Sequence, residues 1–331
     1  MAGINSKIKL VSNWNDLSKL EQKPTRDGYG EGVVASGEEN KNLVVVCCDL
    51  TESTRSLGFK KKFPERFVQM GVSEQSMVSI AAGMALSGKV PWIASYAMFC
   101  PGRAWEQVRT NMALNEANVK IAGAHAGVSV GPDGATHQAI EDIAILRCIP
   151  KMTIVAPCDA IEAKKAVIVV SKMVGPAYVR LGREKTPVFT TVESPFILGK
   201  AEVLRDGEDA AIIACGPLLH NALLAADELS KKGIECMVIN NHTVKPMDEK
   251  TIIAAAEKCG AVVTVEEHQV QGGMGSRVAE ILARSRPVPM EFVGVEDRFG
   301  ESGEPKELIE HFGMGVESIK NAVKKVVKRK K

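Results

Sequence analysis

A chain of 331 residues predicts roughly two domains, each long enough to bury its own core. An apolar share of 45% and a charged share of 25% are ordinary for a soluble globular protein. The formal net charge of +2 gives no bulk attraction for nucleic acid, no stretch has the length of a membrane span, and the N-terminus reads without the apolar run of a signal peptide.

Residues up to about Gln22 read as a polar, loosely amphipathic entry segment, followed by a glycine-bearing stretch, 24–30, and then a short helix. The run 43–48, Leu-Val-Val-Val-Cys-Cys, is continuously apolar, as a strand buried on both faces requires. It ends in the polar tip 49–54, at the carboxyl end of that strand, where open α/β sheets bind ligands. Next comes Gly-Val-Ser-Glu-Gln-Ser-Met at 71–77, which sets Glu74 at the start of a small-residue helix ending near Gly88. Strands follow around 91–95, 119–124, 152–155 and 177–180, alternating with helices at about 103–115, 136–147 and after Asp159. The stretch 186–195, rich in Thr, Pro and Ser, reads as a linker. A second series then begins, with strands at 210–215, 235–239, 261–265 and 290–294 and helices between them. The pattern predicts two consecutive α/β domains, 1–190 and a smaller 191–331, each built on an open, mostly parallel sheet.

The eight cysteines show no C-x-x-C spacing, and several fall inside apolar runs where Cys acts as a small hydrophobe. That usage points to a reducing cytoplasm and away from zinc. The basic cluster Lys324-Lys325 and Lys328 to Lys331 suits a solvated helix C-terminus rather than a membrane or RNA tail.

Three strand-end loops of the first domain carry more chemistry than connection requires. One offers Ser53; a second offers His125 and then Asp133 and His137; the third offers Arg183. A lone His is more often structural, but two with Arg26, Arg183 and Ser53 on one rim form an anion-recognition set, because guanidinium and imidazole donors match phosphate oxygens. Glu74 alone reads equally as a carboxylate favouring the positive end of a helix dipole. The element 266–276, Glu-Glu-His-Gln-Val-Gln-Gly-Gly-Met-Gly-Ser, reads either as an anion site at a helix start or as a tight turn that needs glycines, and the turn is favoured.

The 71–77 motif, His125 to Gly127, the element Gly-Pro-Asp-Gly-Ala-Thr-His-Gln at 131–138 and the strand 180–183, in this order, resemble the pyrimidine-binding domain of transketolase. The second domain resembles the C-terminal domain of the same family. The resemblance implies that Glu74 hydrogen-bonds the aminopyrimidine of thiamine diphosphate and promotes the imino tautomer that activates the cofactor. It places Tyr96 and Phe99 against the pyrimidine ring, with core packing as their alternative, and Asp49 on the cofactor side. It gives His125, Asp133 and His137 to the sugar's hydroxyls and phosphate, and Arg26, Ser53 and Arg183 to the phosphate clamp. The stretch Cys100-Pro101-Gly102-Arg103 departs from the family's aromatic-containing segment, so the wall of the cofactor cup is expected to differ.

The superfamily holds the diphosphate through a divalent ion bound by a Gly-Asp-Gly loop, and no such triplet occurs here. The resemblance therefore implies the C-terminal half of a split transketolase. Such a chain needs an N-terminal subunit carrying the diphosphate site and its Mg²⁺ or Ca²⁺, in an assembly of two copies of each subunit. No metal ligand is expected on this chain. The implied activity is transfer of a two-carbon ketol unit between phosphorylated ketose and aldose. The rivals are a 2-oxo acid or acetoin dehydrogenase β subunit, a relative of deoxyxylulose-phosphate synthase, and a solitary binding protein without enzymatic activity.

Overall fold

The structure, a computed structural model, describes residues 3–330; Met1, Ala2 and Lys331, the last member of the terminal basic cluster, lie outside it. In chain order the strands are β1 (Gln22–Lys23), β2 (Leu43–Cys47), β3 (Phe67–Gln69), β4 (Val90–Tyr96), β5 (Lys120–Ala124), β6 (Thr153–Val155) and β7 (Ala177–Arg180). Then follow β8 (Thr186–Pro187), β9 (Glu202–Arg205), β10 (Ala210–Ala214), β11 (Cys236–Asn240), β12 (Thr243–Lys245), β13 (Val262–Gln269) and β14 (Met290–Val295).

The larger sheet has the order β12-β6-β7-β5-β4-β2-β3 and is parallel except for its edge strand β12. Its central strands are buried on both faces because successive side chains point opposite ways. Val46, Ile93, Ile121 and Ile154 pack with Met77, Val78 and Ala81 of the helix Glu74–Leu86 on one side. Their neighbours Val45, Trp92, Ala122 and Val155 pack with Tyr29, Val33 and Val167 on the other. The smaller sheet, β14-β13-β10-β11-β9, is parallel except for β9.

The two halves interlock. Strand β12 follows β11 in the second series yet pairs with β6 of the first sheet. Conversely, Ile8 and Leu20 from the entry segment bury themselves among Leu204, Leu218 and Leu219, and His220 Nε2 donates to Trp14 O at 2.7 Å.

Three helices depart from the sequence reading. The first runs Thr25–Glu39, straight through the stretch expected to lie outside a helix. Its glycines permit close approach to the helix Ala160–Lys172, since a Cβ on Gly28 would lie 2.1 Å from Ala160 O. The helix expected over 103–115 is broken at its start: helical turns begin at Met98, and Cys100 is extended (φ −139°, ψ 106°). The helix expected over 136–147 is only Asp142–Arg147. Residues before it are tied to the neighbouring loop instead, through Gly127 N to Ala139 O at 2.8 Å and Gln138 Nε2 to Val128 O at 2.9 Å. Among the described residues no helix is long and apolar enough to cross a membrane.

Candidate active site

Strands β2, β4, β5 and β7 are adjacent and parallel, so their carboxyl ends open on one edge of the sheet. That edge gathers most of the residues the sequence singled out. Tyr96, at the end of β4, stacks on His125, just past the end of β5, with centroids 3.7 Å apart. Phe99 stacks on Tyr96 at 5.8 Å, and His137 meets the edges of both rings, at 6.0 Å from Tyr96 and 5.4 Å from Phe99. Arg26 Nη1 lies 3.4 Å from His125 Nε2 and donates to Ser53 O at 2.8 Å. Arg183 donates to Val130 O at 2.6 Å, which ties it to the turn Val128–Asp133.

Three positions are less integrated than the resemblance implied. Asp133 is exposed at the end of that turn, and its carboxylate has no hydrogen-bond or ion-pair partner among the described residues. Ser53 meets Arg26 through its carbonyl rather than its hydroxyl. Asp49 is exposed in a left-handed backbone conformation (φ 57°) and accepts from Gln69 Nε2.

Burial and the nearby cations Arg26 and Arg183, with His137, hold the His125 imidazole far below its usual range, to about 2. It is 1% exposed and stays neutral at physiological pH. Two buried polar atoms of this cluster, His125 Nδ1 and Arg26 Nε, have no protein partner among the described residues, which suits a polar ligand that satisfies them. The depressed pKa also carries a stability signature. Below the unfolded-state value near 6.5, the unfolded chain binds a proton that the folded chain refuses, so acid favours unfolding by about 1.4 kcal/mol per pH unit from this group. Between pH 7 and 5, His125→Asn should lose about 2 kcal/mol less stability than the parent chain, read from urea midpoints at the two pH values. Equal losses would refute the assignment.

Glu74 begins the helix Glu74–Leu86 and is 2% exposed. Arg103 Nη1 donates to its Oε2 at 2.8 Å, and Ser95 Oγ lies 3.5 Å from its Oε1. Arg103 in turn stands over the Phe99 ring at 4.8 Å, which links the carboxylate to the aromatic wall. The departure at Cys100 to Arg103 thus resolves into two buried residues, Cys100 and Pro101, and a half-exposed guanidinium facing Glu74. Beside this wall lies an open groove of about 670 Å³, bordered by Met98, Phe99, Gly102, Arg103 and Thr136.

The second half of the chain supports this edge through contacts that no local pattern revealed. Glu267 Oε1 accepts from Ser129 N at 2.6 Å, and Gln138 Nε2 donates to Glu301 O at 2.9 Å, so β13 and the loop before the last helices hold the 125–138 loop in place. Arg180 bridges Asp142 (2.8 Å) and the carbonyl of Glu267 (2.9 Å). The glycine-rich element binds its own anion: Glu266 accepts from Met274 N at 2.7 Å and Gly275 N at 2.8 Å at the start of the helix Met274–Ser285. A Cβ on Gly273 would lie 2.3 Å from that carboxylate, so the glycine serves close approach.

A buried helix-start glutamate, linked through Arg103 to stacked rings, and an arginine–histidine rim thus share the carboxyl edge of one doubly wound sheet, which makes the chain an α/β protein with a composite polar site at its strand ends. Residues 21–188 match the transketolase pyrimidine binding domain, and residues 199–319 match the transketolase C-terminal domain. A provisionally named transketolase C-terminal section of Methanocaldococcus jannaschii is 41% identical over 310 residues, covering 93% of this chain and 97% of its own length. The 6-deoxy-6-sulfo-D-fructose transketolase subunit SqwH of a Clostridium species is 38% identical, covering 94% and 97%. A solved split-gene transketolase, described as an inactive beta4 tetramer, superimposes with a TM-score of 0.88 at 41% identity, covering 93% of this chain and 99% of that one. The chain belongs to the transketolase family, and it is a transketolase subunit corresponding to the C-terminal section.

Proposed function

We propose that this subunit supplies the pyrimidine side of a thiamine-diphosphate site and the sugar-phosphate rim, and that it transfers ketol groups only when an N-terminal subunit brings the diphosphate site and its Mg²⁺ or Ca²⁺. The observation that carries this reading is the buried Glu74 carboxylate, joined through Arg103 to the Phe99–Tyr96 stack. An acceptor oxygen linked by one guanidinium to a stack of flat rings suits an aminopyrimidine, so Glu74 would hold its ring nitrogen and Tyr96 and Phe99 its face, with Asp49 on the same side. When bound, the cofactor supplies the stabilisation of carbanion character that no side chain offers. The chain's own residues orient and sequester. Arg26 and Arg183, with Ser53, hold a phosphate by charge-assisted bonds. The neutral His125, with His137 and Asp133, holds hydroxyls and shares protons with them, and a phosphate clamped away from the reacting carbon helps align it.

The missing Gly-Asp-Gly loop and the inactive beta4 tetramer of the solved relative support an obligate partner and self-association; an assembly of two copies of each subunit satisfies both with closed symmetry. We assign residues 1–190 to the pyrimidine-binding domain and 191–331 to the C-terminal domain, and place the protein in the cytoplasm on the strength of its free cysteines, of which only Cys148 is exposed.

A coupled assay decides the substrate class. With the N-terminal subunit, turnover is expected with xylulose 5-phosphate and ribose 5-phosphate, and none with pyruvate and an electron acceptor. The chain alone should show no ketol transfer and only weak thiamine diphosphate binding. Turnover confined to pyruvate rejects the sugar-phosphate reading, and full activity from the isolated chain rejects the split site.

A further inference from the structure

Away from the active-site edge, Glu162, Glu202 and His242 meet between the two sheets. Glu162 lies in the first turn of the helix Ala160–Lys172, Glu202 opens β9, and His242 follows β11. One potential ligand atom from each lies within 4.8 Å of the other two. Glu162 and His242 are 3% and 0% exposed, and the Glu202 side chain is 12% exposed.

Their hydrogen bonding is incomplete. Glu162 accepts from Cys158 N and from Asn240 Nδ2, both at 2.6 Å. Among the described residues, Glu202 Oε1, His242 Nε2 and Asn240 Oδ1 have no hydrogen-bond partner. The His242 ring is fixed by Thr243 Oγ1 at Nδ1 (2.8 Å) and by stacking on Phe196 (4.3 Å). That leaves Nε2 3.9 Å from Glu202 Oε1, beyond hydrogen-bond reach. A cavity of about 10 Å³, room for one atom-sized occupant, borders Glu162, Glu202 and Asn240.

The charges around it do not balance locally. Lys165 lines the same cavity and sets one positive charge against the carboxylates, its ammonium held by Thr191 O (2.6 Å) and Ser194 O (2.5 Å). Asp159, one turn before Glu162, adds a third carboxylate and is satisfied by Phe189 N and Thr190 N. Buried carboxylates this close require a compensating cation or a shared proton. A proton shared between the carboxylates leaves the imidazole nitrogen unpaired, whereas an imidazole with two carboxylates is a donor set for first-row divalent metals.

We propose that Glu162, Glu202 and His242, with Asn240 beside them, bind one first-row divalent cation such as Mn²⁺, which staples the two halves of the chain together. Metal–ligand bonds of roughly 2.1 Å set ligand atoms roughly 3–3.5 Å apart, so the triangle contracts by about an ångström on binding. The site is independent of the cofactor reading and distinct from the cation expected on the partner subunit.

The test uses the full chain, stripped with a chelator and titrated with Mn²⁺ by electron paramagnetic resonance and with Co²⁺ by absorption. The expected result is one Mn²⁺ per chain, cobalt bands free of thiolate charge transfer, and a rise of several degrees in Tm at saturating metal. Glu202→Gln and His242→Asn should each weaken binding at least tenfold and abolish the Tm rise. Absence of Mn²⁺ binding by the folded parent chain overturns the proposal, whatever the variants do. So does a thiolate band, which would give the metal a cysteine ligand, the exposed Cys148 or the buried Cys158 beside Glu162, or unchanged binding in both variants, which would place it at a surface pair such as Glu301 and His311.

Discussion

With the partner subunit present, Glu74→Ala is expected to lower ketol transfer by about 10²–10⁴-fold while sugar-phosphate binding persists. The carboxylate is buried where only Arg103 and Ser95 reach it, so a water molecule is poorly placed to take over its role. Glu74→Gln keeps the size and removes the charge, and the same loss is expected, which separates protonic work from packing. The competing account treats Glu74 as a carboxylate that merely favours a helix start. That account predicts a loss of about 0.3–1 kcal/mol in stability and unchanged turnover. Its guanidinium partner is half exposed and returns to solvent when Glu74 is removed, so the stability change is expected to be small under either account. Kinetics therefore carry the decision. Steady-state rates with xylulose 5-phosphate and ribose 5-phosphate, beside sugar-phosphate binding by calorimetry, separate the two; a variant keeping more than a tenth of parent activity removes Glu74 from the chemistry.

The parts of this molecule legible in the sequence were those whose signal is local. A strand buried on both faces reads as a continuous apolar run, so β2 and β10 stood out, and the loops ending β2, β5 and β7 pointed to one edge. The family motif then brought Glu74, Tyr96, Phe99, the two histidines and the arginines to that edge, and the geometry gathers them there. What escaped depends on contacts between distant segments. The stretch 24–30 reads as lying before a helix, yet Gly28 belongs to one and exists because another helix packs within van der Waals distance. Residues 136–141 have helical periodicity, but Gln138 and the Ala139 carbonyl are claimed by the adjacent loop and by Arg180. Glu267, which positions the histidine loop, and the trio at Glu162, Glu202 and His242 lie too far apart in the chain for any spacing rule to pair them.

Asp142→Ala should cost about 3–5 kcal/mol of stability. The pair it belongs to is buried, with side-chain exposures of 7% for Arg180 and 1% for Asp142. Arg180 reaches both carboxylate oxygens, at 2.8 and 3.2 Å, and Tyr178 donates its hydroxyl at 2.6 Å. Removing the carboxylate strands a guanidinium with only the carbonyls of Ala139 and Glu267 for company. Burial pushes the Asp142 carboxyl up, but Arg180 outweighs it and holds the group below its ordinary value. The ion pair therefore stabilises fully above about pH 4 and is lost as the pH falls through the lower folded value, so Asp142→Asn should flatten the acid limb of the stability profile. The pair is also where both halves of the chain meet the active-site edge, since the same guanidinium fixes the 139 carbonyl beside the histidine loop and the 267 carbonyl of β13. Replacing both partners by apolar residues, Asp142→Leu with Arg180→Met, is expected to recover most of the stability but not the turnover. Urea unfolding of the single and double variants, alongside KM and kcat with the partner subunit, reads both; recovery of turnover with stability would show that the pair holds the fold alone and does not position the site.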